Sequence, residues 1–459
     1  VVEVALIRPG PIQGRSVNPY LRRRSGREKV TYLHQLLEPA LRQTLGVPLF
    51  QEQLMRIARD AAGLSGARAD QLRRAMGAKR SPERMEALKG DLMAGMEERG
   101  IDAPTRERIF EQLKGFADFG FPESHSFSFA HIVYASSWLK VHAPEHFYAA
   151  ILASQPMGFY SPATLVQDAR RHGVRVVGPS VNDSLVDASV QRVGDDEAGE
   201  SYNPGRPEAL PSRGTVALDV DRELAVCIGL SQVRGLGAVA ERIVEARRQG
   251  AFTSQADLAR RAHVSASAME KIAMAGALEC LGVGRREGAW AAGALAQPQA
   301  RVGQWQPFLP GTEVGACVPE LPSLSETERM RSDVASTGLT PGRHPFSYVR
   351  GSLPASVLRA GELGQHLAGR IVDIAGVVTH RQRPHTGGGI TFLSLEDETG
   401  LVNVSVSVGA WKKFRRVCLE SSALLVRGTL EWGDGAISVQ AFRIASIALP
   451  VEVKSRDFR

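Results

Sequence analysis

Apolar positions along residues 1–150 fall at the three-to-four spacing of a helix face, whereas from residue 366 they alternate with polar ones. In the first region, Leu54, Ile57, Ala58 and Ala61 form one face within Gln51 to Ala62, with Arg56, Arg59 and Asp60 outside it. Ser81-Pro82 supplies a capping hydroxyl and a proline at the first helical position, Met85, Leu88, Leu92 and Met96 follow, and Gly100 offers a stop. Pro104 opens a helix striped by Ile109, Phe110, Leu113 and Phe116, and Ser161-Pro162 starts another that ends at Gly173. Val174 to Val177 reads as a short buried strand or connector. An alternating stretch, Thr215 to Leu230, leads into two more helical pieces.

After residue 366, Ile371–Val378, Ile390–Leu395, Leu401–Val408, Leu424–Leu430 and Ala436–Phe442 predict five short strands, with a helical insert at Ala410–Val417. That order suits a small barrel of the oligonucleotide-binding (OB) type, although a barrel of this kind can be purely structural. Residues 194–214 are polar, acidic and rich in Pro and Gly, which predicts a surface loop, and Gln297 to Leu324 reads as a linker.

A chain of 459 residues with 43% apolar content has room for roughly three compact units. No apolar run approaches the length of a membrane span, and Val1-Val2-Glu3-Val4 is neither an initiator Met nor a signal segment, so a soluble chain beginning mid-protein is expected. Cys227, Cys280, Cys317 and Cys418 lie far apart, which signals neither a disulfide framework nor a zinc site and fits a reducing cytosol.

Charge is uneven. The net charge is +7, and residues 1–100 hold the whole surplus. A basic end on an otherwise neutral chain points to a polyanionic partner, and a solubility role remains the plain alternative.

Three constellations fit that partner. In Val233-Arg234-Gly235-Leu236-Gly237, two glycines flank one apolar residue before the helical stretch Ala238–Arg248, the helix-hairpin-helix pattern whose backbone amides hold phosphate without reading bases. Leu281-Gly282-Val283-Gly284 repeats it and is followed by Arg285-Arg286. In the expected barrel, Arg381 and Arg383 sit on a basic loop, and Trp411 stands beside Lys412-Lys413, an aromatic among cations as single-stranded nucleic acid requires. Phe392 lies in a strand, where an aromatic is more often core than platform. Arg73, Arg74, Lys79 and Arg80 crowd the stretch before Ser81, which suits a triphosphate, a phosphodiester backbone or simply a solvated basic face.

Catalytic candidates are weaker. Asp219-Val220-Asp221 puts two carboxylates on one strand face, but two-metal chemistry needs a third to converge, and a solvated face is the expected reading. Asp195-Asp196-Glu197 falls in the polar loop, Ser124-His125 lacks a nucleophile-elbow context, and Gly387-Gly388-Gly389 lacks the ending of a phosphate loop.

Several stretches together resemble the C-family bacterial DNA polymerases, the α-subunit type of polymerase III. These are Ala5-Leu6-Ile7-Arg8-Pro9-Gly10-Pro11, Pro48-Leu49-Phe50-Gln51-Glu52-Gln53-Leu54-Met55, Leu72-Arg73-Arg74-Ala75-Met76-Gly77, Phe119-Gly120-Phe121-Pro122-Glu123-Ser124-His125 and Gln155-Pro156-Met157-Gly158-Phe159-Tyr160. Pro122-Glu123-Ser124-His125, Tyr160-Ser161-Pro162 and the ending Ser455-Arg456-Asp457-Phe458-Arg459 are most similar to the error-prone, damage-induced branch.

The resemblance implies a multidomain chain: α-helical fingers and a tandem helix-hairpin-helix, then an all-β OB barrel. The expected bounds are fingers 1–152, tandem helix-hairpin-helix 153–293, linker 294–365, barrel 366–446 and tail 447–459. It implies that the palm, with its Mg²⁺-binding aspartates, precedes this chain, which then holds no catalytic or metal residue and should not polymerise alone. By the same resemblance Arg73, Arg74, Lys79, Arg80 and His125 face the incoming nucleoside triphosphate, while roles for Arg8, Gln51 and Gln53 stay open. Gly235, Leu236, Gly237, Gly282, Gly284, Arg285 and Arg286 would hold duplex DNA, and Arg381, Arg383, Trp411, Lys412 and Lys413 the single-stranded template. Implied partners are primer-template DNA, dNTP, accessory mutagenesis proteins and, through them, the sliding clamp; no membrane partner and a cytoplasmic location are expected. A non-catalytic DNA-binding module, a truncated replicative α subunit and a scaffold for mutagenesis proteins stay open as alternatives.

Overall fold

The computed structural model describes residues 1–6, 17–75, 86–117, 121–158, 160–193, 217–295, 319–384, 388–433, 436–453 and 455–458. They divide into two units, Val1–Ser137 and Trp138–Arg459.

The first unit is helical, as the spacing requires. Helices α1 (Gln51–Asp60), α2 (Gly66–Ala75), α3 (Lys89–Glu98) and α4 (Ala103–Ala117) surround a core of Leu54, Ile57, Leu72, Leu92, Met96, Ile109, Phe110 and Leu113. Asp102 starts α4 by accepting the Thr105 amide at 3.2 Å, one of the donors a helix start leaves unpaired. Ser81 and Pro82, expected to open a helix, lie outside the described residues. Gln53 brackets the start of α1: its Oε1 accepts the amides of Leu49 (2.8 Å) and Phe50 (3.1 Å), and its Nε2 donates to Ala40 O and Thr44 Oγ1. The unit ends within the 20-residue helix α5 (Glu123–His142).

After the last residues of α5, the second unit continues with α6 (Pro144–Ala153) and α7 (Pro162–Arg171), the latter capped by Ser161 Oγ, which accepts the Thr164 amide at 3.2 Å. Strands β1 (Arg175–Val177), β2 (Ser189–Arg192) and β3 (Leu224–Cys227) form a small sheet in the order β1-β3-β2. Next come α8 (Ala238–Arg247), α9 (Gln255–Ala262), α10 (Ala266–Met274) and α11 (Arg285–Leu295), packed on Leu236, Ile243, Leu258, Met269, Ile272 and Leu278.

The stretch expected as a linker differs. Part of it, 296–318, is outside the described residues, but Glu326–Thr337 is a helix, α12, with a capping box between Ser325 and Glu328 and Gly338 at φ +79° as its stop. Met330 and Val334 are its buried apolar residues, while Ser332, Asp333 and Thr337 are buried by polar partners, so its amphipathicity does not show as hydrophobicity.

The barrel has the expected five strands: β5 (Ile371–Gln382), β6 (Thr391–Glu396), β7 (Leu401–Val406), β8 (Ala423–Gly433) and β9 (Ala436–Ile447), of which β5, β8 and β9 run longer than the sequence predicts and β7 stops two residues short; the two-residue β4 (Val357–Leu358) precedes them. Strand β5 pairs with β8 through its first half and with β6 through its second, and β7 pairs with β9 in parallel, which closes the sheet. Helix α13 (Val408–Glu420) packs on β9. The tail returns as β10 (Arg456–Phe458) along β5. The barrel docks on α7, where Arg171 donates to the buried Glu396 at 2.8 Å and Thr164 bonds the same carboxylate at 3.2 Å. Nearby, Arg350 donates to Asp397 and Glu398, both at 2.8 Å.

Candidate nucleic-acid interface

On α2, burial of Leu72 in the core turns Arg73 and Arg74 outward. Both grip one carboxylate, Asp70, at 2.9 and 2.8 Å. Their side chains stay 43% and 73% exposed, so the pair is a presented cationic surface rather than a buried bridge. Their hydrogen bonds also hold the Asp70 carboxyl below its ordinary pKa. Lys79, Arg80 and Arg8 lie outside the described residues. His125 stands exposed in the first turn of α5, edge-on to Phe121 at 5.1 Å and Phe129 at 4.5 Å.

The first hairpin has the geometry its glycines suggested. Leu236 is buried in the helical core, and Gly235 and Gly237 take φ +73° and +50°, where a Cβ would be strained. Among the described residues no hydrogen bond uses the amides of Gly235 and Gly237. These donors sit at the N-terminus of α8, where an anion is favoured. Lys271, on α10, reaches in from the side: its exposed Nζ lies 3.5 Å from Gly235 O. Nothing in the linear sequence marks Lys271, because it stands on the next helical pair.

The second hairpin is occupied by its own protein. The Gly284 amide is taken by Glu287 Oε2 at 3.1 Å, and the Gly282 amide by Glu279 O at 3.0 Å. Arg285, expected toward DNA, points inward with 8% of its side chain exposed, bonding Asp333 at 2.6 Å and Glu279 at 2.9 Å. Burial opposes its charge, but these carboxylates outweigh burial and raise its pKa. Arg286 pairs with Glu328 of α12 at 2.8 Å. This hairpin is therefore a socket for α12.

In the barrel, two expected contacts also turn inward. Arg381 is 8% exposed and donates to Cys418 O (2.6 Å), Ser421 O (2.8 Å) and Ser455 Oγ, tying α13 and the tail to β5. Trp411 is 7% exposed within the barrel core, because the stripe of α13 that meets the sheet includes Trp411, Phe414 and Cys418. Arg383 stays exposed over the Trp411 ring at 5.7 Å, and Lys412 and Lys413 are exposed. Two other aromatics of the barrel are accessible instead, Phe392 at 40% and Phe442 at 47% exposed. Cross-strand pairing places Phe392 beside Ser405 and Ser405 beside Gln440, with Ser394, Asn403 and Ser438 as the next row. An outward aromatic among polar side chains on such strands is the stacking platform OB barrels use.

The carboxylates at 219 and 221 do not fit a metal pair. Asp219 Oδ2 bonds His142 Nδ1 at 2.7 Å, and the Asp221 amide is held by Glu145. Among the described residues, no three His, Cys, Asp or Glu side chains converge. Among the same residues, no helix is long and apolar enough to cross a membrane.

These elements define a class: a helical N-terminal unit followed by helix-hairpin-helix and OB modules. Family models agree, matching the bacterial DNA polymerase III alpha subunit finger domain at residues 1–100, the helix-hairpin-helix motif at 173–288 and the OB-fold nucleic acid binding domain at 372–447. Over 100% of its length the chain is 49% identical to the error-prone DNA polymerase of Mycobacterium bovis, 48% to that of Nocardia farcinica and 46% to that of Cutibacterium acnes. It spans 39%, 38% and 41% of those relatives' own lengths. An asparaginyl-tRNA synthetase structure from Pyrococcus horikoshii matches 21% of the chain and 24% of its own, at 21% identity and a TM-score of 0.19. The chain thus carries the finger, helix-hairpin-helix and OB-fold parts of the error-prone DNA polymerase family.

Proposed function

We propose that this chain supplies the nucleotide and DNA contacts of a DNA-directed polymerase that copies damaged template in the cytoplasm. The observation that carries the reading is the first hairpin, where the unused amides of Gly235 and Gly237 stand beside Lys271. Phosphates of duplex product bind there, without base readout. Arg73 and Arg74, helped by Lys79, Arg80 and His125, neutralise the triphosphate of the incoming dNTP. Phe392, with Arg383, Lys412 and Lys413, carries the unpaired template. The second hairpin, with Arg285 and Arg286 committed to α12, holds the barrel in place rather than DNA.

The Mg²⁺ ions of the intact enzyme are bound by carboxylates outside this sequence, which makes this polypeptide inactive alone. Accessory mutagenesis proteins provide the route to the sliding clamp. Two assays test the reading. Primer extension with Mg²⁺ and dNTPs should give no product with this chain; extension would overturn its assignment as a non-catalytic part. In the longer polymerase, Arg73→Ala should raise the apparent KM for dNTP with little change in DNA affinity, and an unchanged KM removes the triphosphate assignment.

A further inference from the structure

Helix α5 carries no Asp, Glu, Lys or Arg between Glu123 and Lys140. Its large apolar side chains are nonetheless uncovered: Phe127 is 58% exposed, Ile132 58%, Val133 55% and Tyr134 73%. At roughly 100° per residue these positions point in widely separated directions, so apolar surface surrounds the helix instead of forming one stripe. A helix of that kind is stable when enclosed, and a contiguous patch this large marks an interaction surface.

The missing formal charge narrows the occupant. A nucleic-acid track would need a row of Lys or Arg to displace counterions, and residues 124–139 hold neither. An interfacial membrane helix would need a strongly charged face, which is equally lacking. What fits is the apolar surface of a folded protein.

Length identifies which protein. Its Mycobacterium bovis relative is matched over 39% of its length, so the larger part of such a polypeptide lies outside the aligned region. We propose that α5 is the docking element for that remainder, which closes around Phe127, Ile132, Val133 and Tyr134. This rests on the reading of the chain as part of an error-prone polymerase.

Hydroxyl-radical footprinting tests it, because labelling of aromatic side chains follows their solvent exposure. Phe127 and Tyr134 should label readily in this chain alone and severalfold less within the longer polymerase polypeptide. Equal labelling in both overturns the proposal. So does protection in this chain alone, which would mean that its own segments cover α5, and so does protection that grows with concentration, which would mean a second copy. A variant gives an independent readout: Ile132→Asp should leave the primer-template affinity of this chain unchanged and weaken extension by the longer polymerase. Unimpaired extension contradicts the docking. Loss of DNA binding by the unmodified chain would instead strike the polymerase reading itself, so the two failures are distinguishable.

Discussion

Arg285 Nη1 lies 2.6 Å from Asp333 Oδ1, and each side chain keeps only 8% of its surface exposed. This contact joins the second hairpin to α12, and α12 reaches the end of the barrel sheet through Arg331, which donates to Pro450 O at 2.5 Å. Removing one partner of a buried pair strands the other's charge. Arg285→Ala should therefore cost about 3–5 kcal/mol of unfolding free energy. Arg286→Ala, whose pair with Glu328 is 37% and 42% exposed, should cost at most about 1 kcal/mol. Urea unfolding of both variants checks the contrast, and equal costs would contradict a socket built on Arg285.

The two hairpins should differ in salt dependence. Lys271→Ala should lower the slope of log affinity against log salt for duplex DNA by about 1, as loss of one phosphate contact does. Arg286→Ala should leave that slope unchanged. Anisotropy titrations of the variants provide the measurement, and the reverse result would exchange the roles of the hairpins.

Phe392 and Trp411 separate binding from packing. Phe392→Ala should weaken single-stranded DNA binding by about 1–3 kcal/mol with little change in Tm. Trp411→Ala should instead destabilise the fold by about 3–5 kcal/mol. Paired binding and melting curves decide between platform and core for each ring.

His344 gives a pH signature. It is buried, and burial, reinforced by Arg171, Arg350 and Arg170, pushes its pKa from 6.5 down to about 3. The folded protein keeps the ring neutral while the unfolded chain protonates it below pH 6.5. Stability should thus be complete above that pH and fall by about 1.4 kcal/mol per unit on the way to about pH 3. His344→Gln, which keeps an acceptor for the Phe346 amide now bound at 3.2 Å, should flatten this part of the acid limb. A denaturation series from pH 7 to 4 tests it, and an unchanged limb removes His344 as the cause.

Period-two alternation made the barrel legible in the sequence, and the first hairpin was legible because Gly235 and Gly237 need backbone angles that few residues tolerate. The faces of elements were less so. Trp411 and Phe392 exchanged their expected places because neighbouring cations do not reveal which side of α13 or β6 meets the core. Arg285 and Arg381 look like ligand-binding cations until Asp333 and Ser455, distant in sequence, are brought against them. Helix α12 was hidden because its buried face mixes Ser332, Asp333 and Thr337 with two apolar residues, Met330 and Val334. Lys271 had no local signal at all, since only the packing of α10 brings it to Gly235.

The most direct test of the central claim is a primer-template anisotropy titration of this chain across about 50–200 mM salt. Binding should weaken steeply as salt rises. Failure to bind at either end of the range, or binding indifferent to salt, would contradict that claim.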